Sequence, residues 1–118
     1  MAKPTDKAEL LQGTLDMLIL KSLQSGPRHG YSIAQWIGAT TNDALSVEEG
    51  SLYPALHRME KRGWISASWG QSDSNRRAKF YDLTRTGKTQ LGQQVTMWGR
   101  LVSAITLVLE ADPAEGAP

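Results

Sequence analysis

Cysteine is absent from the 118 residues of this sequence, and histidine occurs only twice. Without cysteine the chain cannot form a disulfide, perform thiol chemistry or bind zinc through thiolates. His29 and His57 have no carboxylate motif beside them of the kind that metal or catalytic sites use. Composition alone does not exclude Ser-His-Asp chemistry, but no nucleophile elbow is present. The sequence therefore predicts no catalytic residue, no metal site and no cofactor.

Long hydrophobic runs are also missing. No segment approaches the roughly 18 apolar residues of a membrane span, because Lys21 interrupts the only N-terminal candidate. The opening residues, MAKPTDKAELLQ, lack the apolar block of a secretory signal. Hydrophobic residues make up 40% of the chain and charged residues 21%, which are ordinary values for a globular domain. These features predict one small cytoplasmic domain with a single core and no membrane partner.

Charge is segregated along the chain, although the net charge is only +1. Residues 57 to 88 contain eight Lys and Arg side chains and three Asp and Glu side chains, so this segment carries +5 and the remainder −4. A basic segment inside a nearly neutral chain is typical of a surface that binds a polyanion such as DNA.

The stretch SVEEGSLYPALHRMEKRG predicts a short helix with one buried face. Ser46 is in position to cap this helix, and Glu49 three residues later completes a capping box. Apolar or small residues then recur at helical intervals, namely Leu52, Leu56, Met59 and Gly63. Pro54 falls inside this pattern and lacks the amide hydrogen that a helix interior needs. The regular helix is therefore expected either to begin near Gly50 or Ser51 or to kink at Pro54.

The opposite face of this helix combines polar, aromatic and basic side chains. Most charged helix faces are only solvated surface, and that interpretation stays open here. A helix with such a face also fits the major groove of DNA. We expect Arg58 and Lys61 to bind phosphate, and Ser51 and Tyr53 to reach bases or phosphates. The predicted DNA-binding residues of the helix are Ser51, Tyr53, Pro54, His57, Arg58 and Lys61.

After Gly63 the periodicity changes from helical to alternating, which predicts two strands joined by the polar loop SDSNRR. Ile65 and Ala67 share one face of the first strand, and Tyr81 and Leu83 share one face of the return strand. Basic residues at the loop and the return strand are predicted to bind the DNA backbone or the minor groove, namely Arg76, Arg77 and Lys79. The segment SDSNRR can also be simply a flexible polar loop, and both interpretations can hold before DNA binds.

Two helices are expected before this unit. The first runs from Lys7 to Ser25, the motif SGPRHG ends it, and the second covers about residues 31 to 40. Helix, helix, turn, helix and hairpin is the order of a winged helix-turn-helix. We therefore predict a mainly α fold with a small β-hairpin, in which residues 7–84 form a DNA-binding domain after a flexible tail at 1–6.

A long last helix is predicted over residues 85–110. Its roughly 37 Å exceed what a small winged domain can cover, and its apolar residues form a heptad seam at Leu91, Val95, Trp98, Val102, Ile105 and Leu109. The first helix also carries surplus apolar surface. We therefore predict a homodimer about a twofold axis, with contacts from Leu11, Leu15, Leu91, Val95, Val102, Ile105 and Leu109. Residues 111–118 are expected to be disordered.

Three stretches of the sequence resemble the PadR family of bacterial transcriptional regulators. They are LQGTLDMLILKSLQSGPRHGYSIAQWI, EEGSLYPALHRMEKRGWI and RRAKFYDLTRTGKTQL, and the resemblance covers about residues 10 to 110. The fragments GPRHGY, GSLYPALHRME and FYDLTRTG are specific in combination rather than singly. The short C-terminal region, with a single long helix after the wing, resembles that of the compact subfamily. The resemblance implies a homodimeric repressor of double-stranded operator DNA, with an aromatic small molecule as effector.

Trp98, in the middle of the seam, has two interpretations. An aromatic residue at this spacing is commonly only part of a core. Near a twofold axis, however, Trp98 would meet its own copy, and the two indoles could form a flat slot, with Gly99 leaving room beside them. The resemblance to compact PadR proteins supports Trp98 as an effector-binding residue.

Two other functions remain as alternatives. A MarR-like winged-helix regulator with a different sensing pocket would need helices on both sides of its DNA-binding unit, and one helix follows the wing here. A winged-helix protein-interaction module would lack salt-dependent binding to heparin or random duplex. The sequence favours a DNA-binding transcriptional repressor that a hydrophobic or aromatic molecule releases.

Overall fold

The computed structural model describes residues 12–114, which form four helices and a three-stranded antiparallel sheet. The elements follow one another as α1 (Gln12–Ser22), β1 (Arg28–His29), α2 (Gly30–Thr40), α3 (Glu49–Lys61), β2 (Ile65–Gln71), β3 (Arg77–Leu83) and α4 (Arg85–Glu110). The sheet order is β1-β3-β2, with β2 and β3 as the wing hairpin. The predicted winged helix-turn-helix with a long last helix is confirmed.

The core lies where α1, α2 and α3 meet the base of the hairpin. Each of the three helices buries the side chains of its apolar face. The buried side chains include Ile19, Leu23, Ile33, Ile37, Leu52, Leu56 and Met59. The hairpin contributes Ile65 and Tyr81, which stand on its inner face. The predicted alternation holds, because Ile65 is paired with Leu83 and Ala67 with Tyr81 in the strand register.

Three local expectations were wrong. The N-cap of α3 is Glu48 rather than Ser46, and no side chain makes a capping hydrogen bond; the Ser46 hydroxyl donates instead to the Glu48 carboxylate at 3.3 Å. Gly63 is exposed beyond the helix with φ of 78°, so it ends α3 and is not part of the buried face. The first helix ends at Ser22, three residues early, in a turn that leads into β1.

Pro54 lies inside α3, which begins at Glu49. Proline has no amide hydrogen, so the carbonyl of Gly50 lacks its helical partner four residues later. Gly50 is exposed, and water can satisfy that carbonyl. A proline one turn into the helix is therefore tolerated on the solvent side.

The junction between the hairpin and α4 is tightly packed. Thr84 is the N-cap of α4: its hydroxyl accepts from the amide of Gly87 at 3.0 Å, and its amide donates to the Trp64 carbonyl at 3.1 Å. Gly87 is buried, and a Cβ there would overlap the Trp64 carbonyl oxygen. Only glycine allows α4 to start this close to the Trp64 carbonyl, which lies between α3 and β2.

Beyond this junction α4 extends away from the rest of the domain. Gly87 and Leu91 are its only buried residues, so most of its length lies outside the core. α1 packs against α4. Across the part of the chain that the structure describes, no helix is long and apolar enough to cross a membrane.

Candidate nucleic-acid interface

The outer face of α3 is open to solvent, as the sequence predicted. Leu52, Leu56 and Met59 anchor the helix in the core, so the opposite face points outward. Five of the six predicted residues on that face are exposed: Ser51, Tyr53, Pro54, His57 and Lys61. Their side chains are available to a partner along the length of the helix.

Tyr53 lies over the start of α2. Gly30 is buried there, and a Cβ on it would approach the Tyr53 hydroxyl to 2.9 Å and a carbon of its ring to 2.8 Å. Because Gly30, the second glycine of the GPRHGY motif, has no side chain, the Tyr53 ring can pack against the start of α2. His29 caps α2 by accepting from the Ser32 amide through Nδ1 at 3.2 Å, so the same motif also fixes the helix start.

Arg58 differs from its neighbours on α3 because it contacts α1. Its Nη2 donates to Oδ1 of Asp16 at 2.5 Å, and the Asp16 side chain is only 6% exposed. Burial raises the pKa of Asp16 above its ordinary value, and the positive charge of Arg58 partly opposes that rise. Arg58 thus holds α3 against α1, and its predicted contact with phosphate stays a prediction.

The wing places its basic residues in three different environments. Arg76 is exposed at the tip, where its carbonyl accepts from the Ser72 amide at 2.8 Å. The guanidinium carbon of Arg77 lies 4.6 Å from the centre of the Trp69 ring. Lys79 pairs with Glu60 of α3 at 3.3 Å.

A cleft of about 700 Å³ separates the wing from α2 and α3. It brings together four of the predicted DNA-binding residues: Tyr53, Arg76, Arg77 and Lys79. The other exposed predicted residues of α3 lie outside it. Interleaved aromatic and basic side chains beside an open helix face suit a nucleic-acid backbone.

Two exposed aromatic residues of this cleft were not predicted as site residues. Tyr31 is 67% exposed and Trp69 is 60% exposed. The signal for Trp69 was present in the alternation of β2, because Ile65, Ala67 and Trp69 fall on one strand face. Where the core ends, the inner face of the hairpin continues into the cleft.

The predicted dimer residues divide into two groups. Leu15 and Leu91 are already buried in the core of the single chain, at 3% and 5% exposed. The remaining described residues of the group are exposed in a single chain: Val95, Val102, Ile105 and Leu109. Leu11 lies outside the described residues.

Trp98 lines an open apolar pocket between α1 and α4. The pocket has a volume of about 860 Å³, and Met17, Met97 and Leu101 contribute to its walls. The indole is 46% exposed, so its ring is accessible from solvent. Among residues 12–114 no group of three or more His, Asp or Glu side chains could hold a metal ion.

Comparison with known proteins identifies the family. The sequence profile of the transcriptional regulator PadR-like family matches residues 19–93, which is most of the winged domain and the start of α4. The chain belongs to the PadR-like family of transcriptional regulators. Such regulators are generally not enzymes. An uncharacterized protein from Lysinibacillus sphaericus is 32% identical over 104 residues, which cover 88% of this PadR protein and 95% of that relative.

Solved structures share the fold over most of the chain. A transcriptional regulator from Clostridium thermocellum is 29% identical, with 80% of this chain and 92% of that chain covered and a TM-score of 0.74. A PadR-like transcriptional regulator from Bacillus cereus is 27% identical, with 89% and 100% covered and a TM-score of 0.74. A protein from Streptococcus mutans is 28% identical, with 88% and 93% covered and a TM-score of 0.77.

Proposed function

We propose that this PadR protein is a homodimeric, sequence-specific DNA-binding repressor that an aromatic or hydrophobic small molecule releases from its operator. The cleft between α3 and the wing carries the DNA-binding part of the proposal. There the outer face of α3 is open, and Arg76 and Arg77 project from a hairpin beside it. In this arrangement α3 enters the major groove and the wing contacts the adjacent backbone.

The exposed apolar residues of α4 support the dimer. Val95, Val102 and Ile105 are between 41% and 51% exposed, and Leu109 is 78% exposed. Water-exposed apolar rows of this length on one helix mark an interface between proteins. We assign residues 85–110 the dimerising role, with residues 7–84 binding DNA. Regulators of this family typically dimerise.

The pocket beside Trp98 supports the effector. Its walls are apolar and come from α1 and α4, and a flat ring can stack on the accessible indole. A ligand there could weaken DNA binding by favouring a different spacing of the two α3 helices. Those helices must lie about 34 Å apart to enter successive major grooves, so a small rotation of the subunits suffices.

The DNA-binding proposal is tested by an electrophoretic shift with DNA from immediately upstream of the protein's own gene. We expect a shifted band that survives an excess of random duplex, since a sequence-specific regulator prefers its operator. Retention on heparin that falls with salt distinguishes this function from a protein-interaction module. A chain that neither shifts DNA nor binds heparin would contradict the proposal.

The effector proposal is tested separately with planar aromatic dyes. We expect the wild-type dimer to bind at least one dye and Trp98→Ala to bind it more weakly, because the stacking surface is lost. Sedimentation of the variant establishes that it is still a dimer. If the wild type and the dimeric variant bound every dye with equal affinity, Trp98 would have only a packing role.

A further inference from the structure

Trp69 stands on the wing where the hydrophobic core has already ended. It pairs with Lys79 in the strand register, two residues beyond the pair that Ala67 forms with the buried Tyr81. The indole is 60% exposed, whereas Trp36 and Trp64 are partly buried against the core. A core role therefore does not account for this large aromatic side chain.

The guanidinium of Arg77 lies over the ring of Trp69. Gln71 pairs with Arg77 and Trp69 with Lys79, so Arg77 is the diagonal neighbour of Trp69 on the same face of the hairpin. The guanidinium carbon is 4.6 Å from the ring centre, within the range of a cation–π contact. This contact places Arg77 on the wall of the cleft.

The charge on Arg77 is not neutralised by a carboxylate within the described chain. The ion pairs of residues 12–114 join Arg58 to Asp16 and Lys79 to Glu60. A ring face attracts the guanidinium but accepts none of its in-plane hydrogen bonds, so the N–H donors of Arg77 remain available. Phosphate oxygens match those donors in a bidentate arrangement.

We propose that Trp69 is a positioning residue for DNA binding, whose indole holds the Arg77 guanidinium ready to contact a phosphate. The inference deepens the proposed function and rests on it. A free arginine loses much rotamer freedom when it binds phosphate, and an arginine already held on a ring loses less. The indole thus strengthens binding by ordering Arg77 before DNA arrives.

Arg76 provides the matched control for this idea. It is adjacent to Arg77 and carries the same charge on the same wing, but its guanidinium does not lie over the ring of Trp69. If Trp69 acts through Arg77, its removal matters only while Arg77 is present. If Trp69 acts on the whole wing or contacts DNA by itself, its removal matters equally in both arginine variants.

The test is a double-mutant cycle with a fluorescein-labelled random duplex, followed by anisotropy at one salt concentration. We expect Trp69→Leu to weaken binding about fivefold in the wild type and in Arg76→Ala, and to have almost no effect in Arg77→Ala. Trp69→Phe keeps a ring and should stay near wild-type affinity. Thermal unfolding of each variant identifies any loss of fold.

Two results would overturn the inference while DNA binding stands. One is wild-type affinity in Trp69→Leu, and the other is an equal loss in the Arg76→Ala and Arg77→Ala backgrounds. A wild type that does not bind the duplex would overturn DNA binding itself and this inference with it.

Discussion

Asp16 and Arg58 join the first helix to the helix that is proposed to enter DNA. The carboxylate is 6% exposed and the guanidinium side chain 25% exposed, so both lose part of their hydration. The attraction within such a pair offsets its desolvation only in part, and its main effect is to fix the geometry of the two helices. α1 also lines the pocket of Trp98, so this pair connects that pocket to α3.

Asp16→Asn tests the electrostatics of this contact. Burial raises the folded-state pKa of Asp16 above its ordinary value of 3.8, so the folded chain binds that proton more tightly than the unfolded chain. The folded state is therefore stabilised by this proton below pH 3.8, and the stabilisation is lost as the pH rises through the folded-state pKa of Asp16. We therefore expect the free energy of unfolding of the variant, minus that of the wild type, to increase as the pH is raised toward neutrality.

Urea unfolding of both proteins at the same protein concentration measures this difference. The asparagine cannot ionise but keeps the shape and an acceptor for Arg58. A difference that stays level or decreases with rising pH would show that the attraction of Arg58 outweighs the burial of Asp16.

The sequence could not predict this ion pair, although it predicted most of the core. Leu52, Leu56 and Met59 follow from periodicity, which is a local property of the chain. Asp16 and Arg58 are 42 positions apart, and nothing local links them. Fixed side-chain partners of this kind depend on how helices pack, and charge alone had suggested that Arg58 was free for phosphate.

At the scale of elements, α3 and the hairpin were predictable because each has a clear period. The strand β1 has only two residues, Arg28 and His29, which is too short for any alternation to be seen. The capping box at Ser46 failed because a local pattern competes with the path of the loop that enters the helix. Sequence patterns thus located the elements better than their first residues.

The close contact between Gly87 of α4 and the Trp64 carbonyl can be tested by mutation. Gly87→Ala would place a Cβ against the Trp64 carbonyl oxygen, and the start of α4 would have to move. We expect this overpacking to lower the free energy of unfolding by about 2 kcal/mol. Urea unfolding of the wild type and the variant measures the loss.

Gly92→Ala is the control on the same helix. Gly92 is exposed and has nothing within 4 Å of a Cβ position, so alanine should raise the free energy of unfolding by about 0.5–1 kcal/mol through helix propensity. If both alanine variants were equally stable, the junction would be looser than the structure indicates.

At the scale of the molecule, α4 determines the shape. A single chain leaves most of this helix uncovered, including the seam residues Val102 and Ile105. We expect the wild type to sediment as a dimer at micromolar concentration and Val102→Asp to sediment as a monomer, because a charge buried at the seam without a partner costs several kcal/mol.

Ser103→Asp adds the same charge next to Val102 but off the heptad seam. Ser103 is exposed, and we expect this variant to remain a dimer. A wild type that sediments as a monomer would contradict the assigned role of α4. So would dissociation of Ser103→Asp to the same extent as Val102→Asp.

If the wing and α3 bind the phosphate backbone, the affinity for DNA must fall with salt to an extent set by the number of phosphate contacts. The decisive measurement compares the slope of log affinity against log salt for the wild type and for the double variant Arg76→Ala, Arg77→Ala on one duplex. Lys21→Ala with Arg100→Ala removes the same charge from α1 and α4 and serves as the control. We expect the wing variant to have a slope shallower by about 1.8 for each subunit that contacts the DNA, or about 3.6 for the dimer, since each lost phosphate contact removes roughly 0.9, while the control keeps the wild-type slope. An unchanged slope in the wing variant would show that Arg76 and Arg77 do not contact the phosphate backbone.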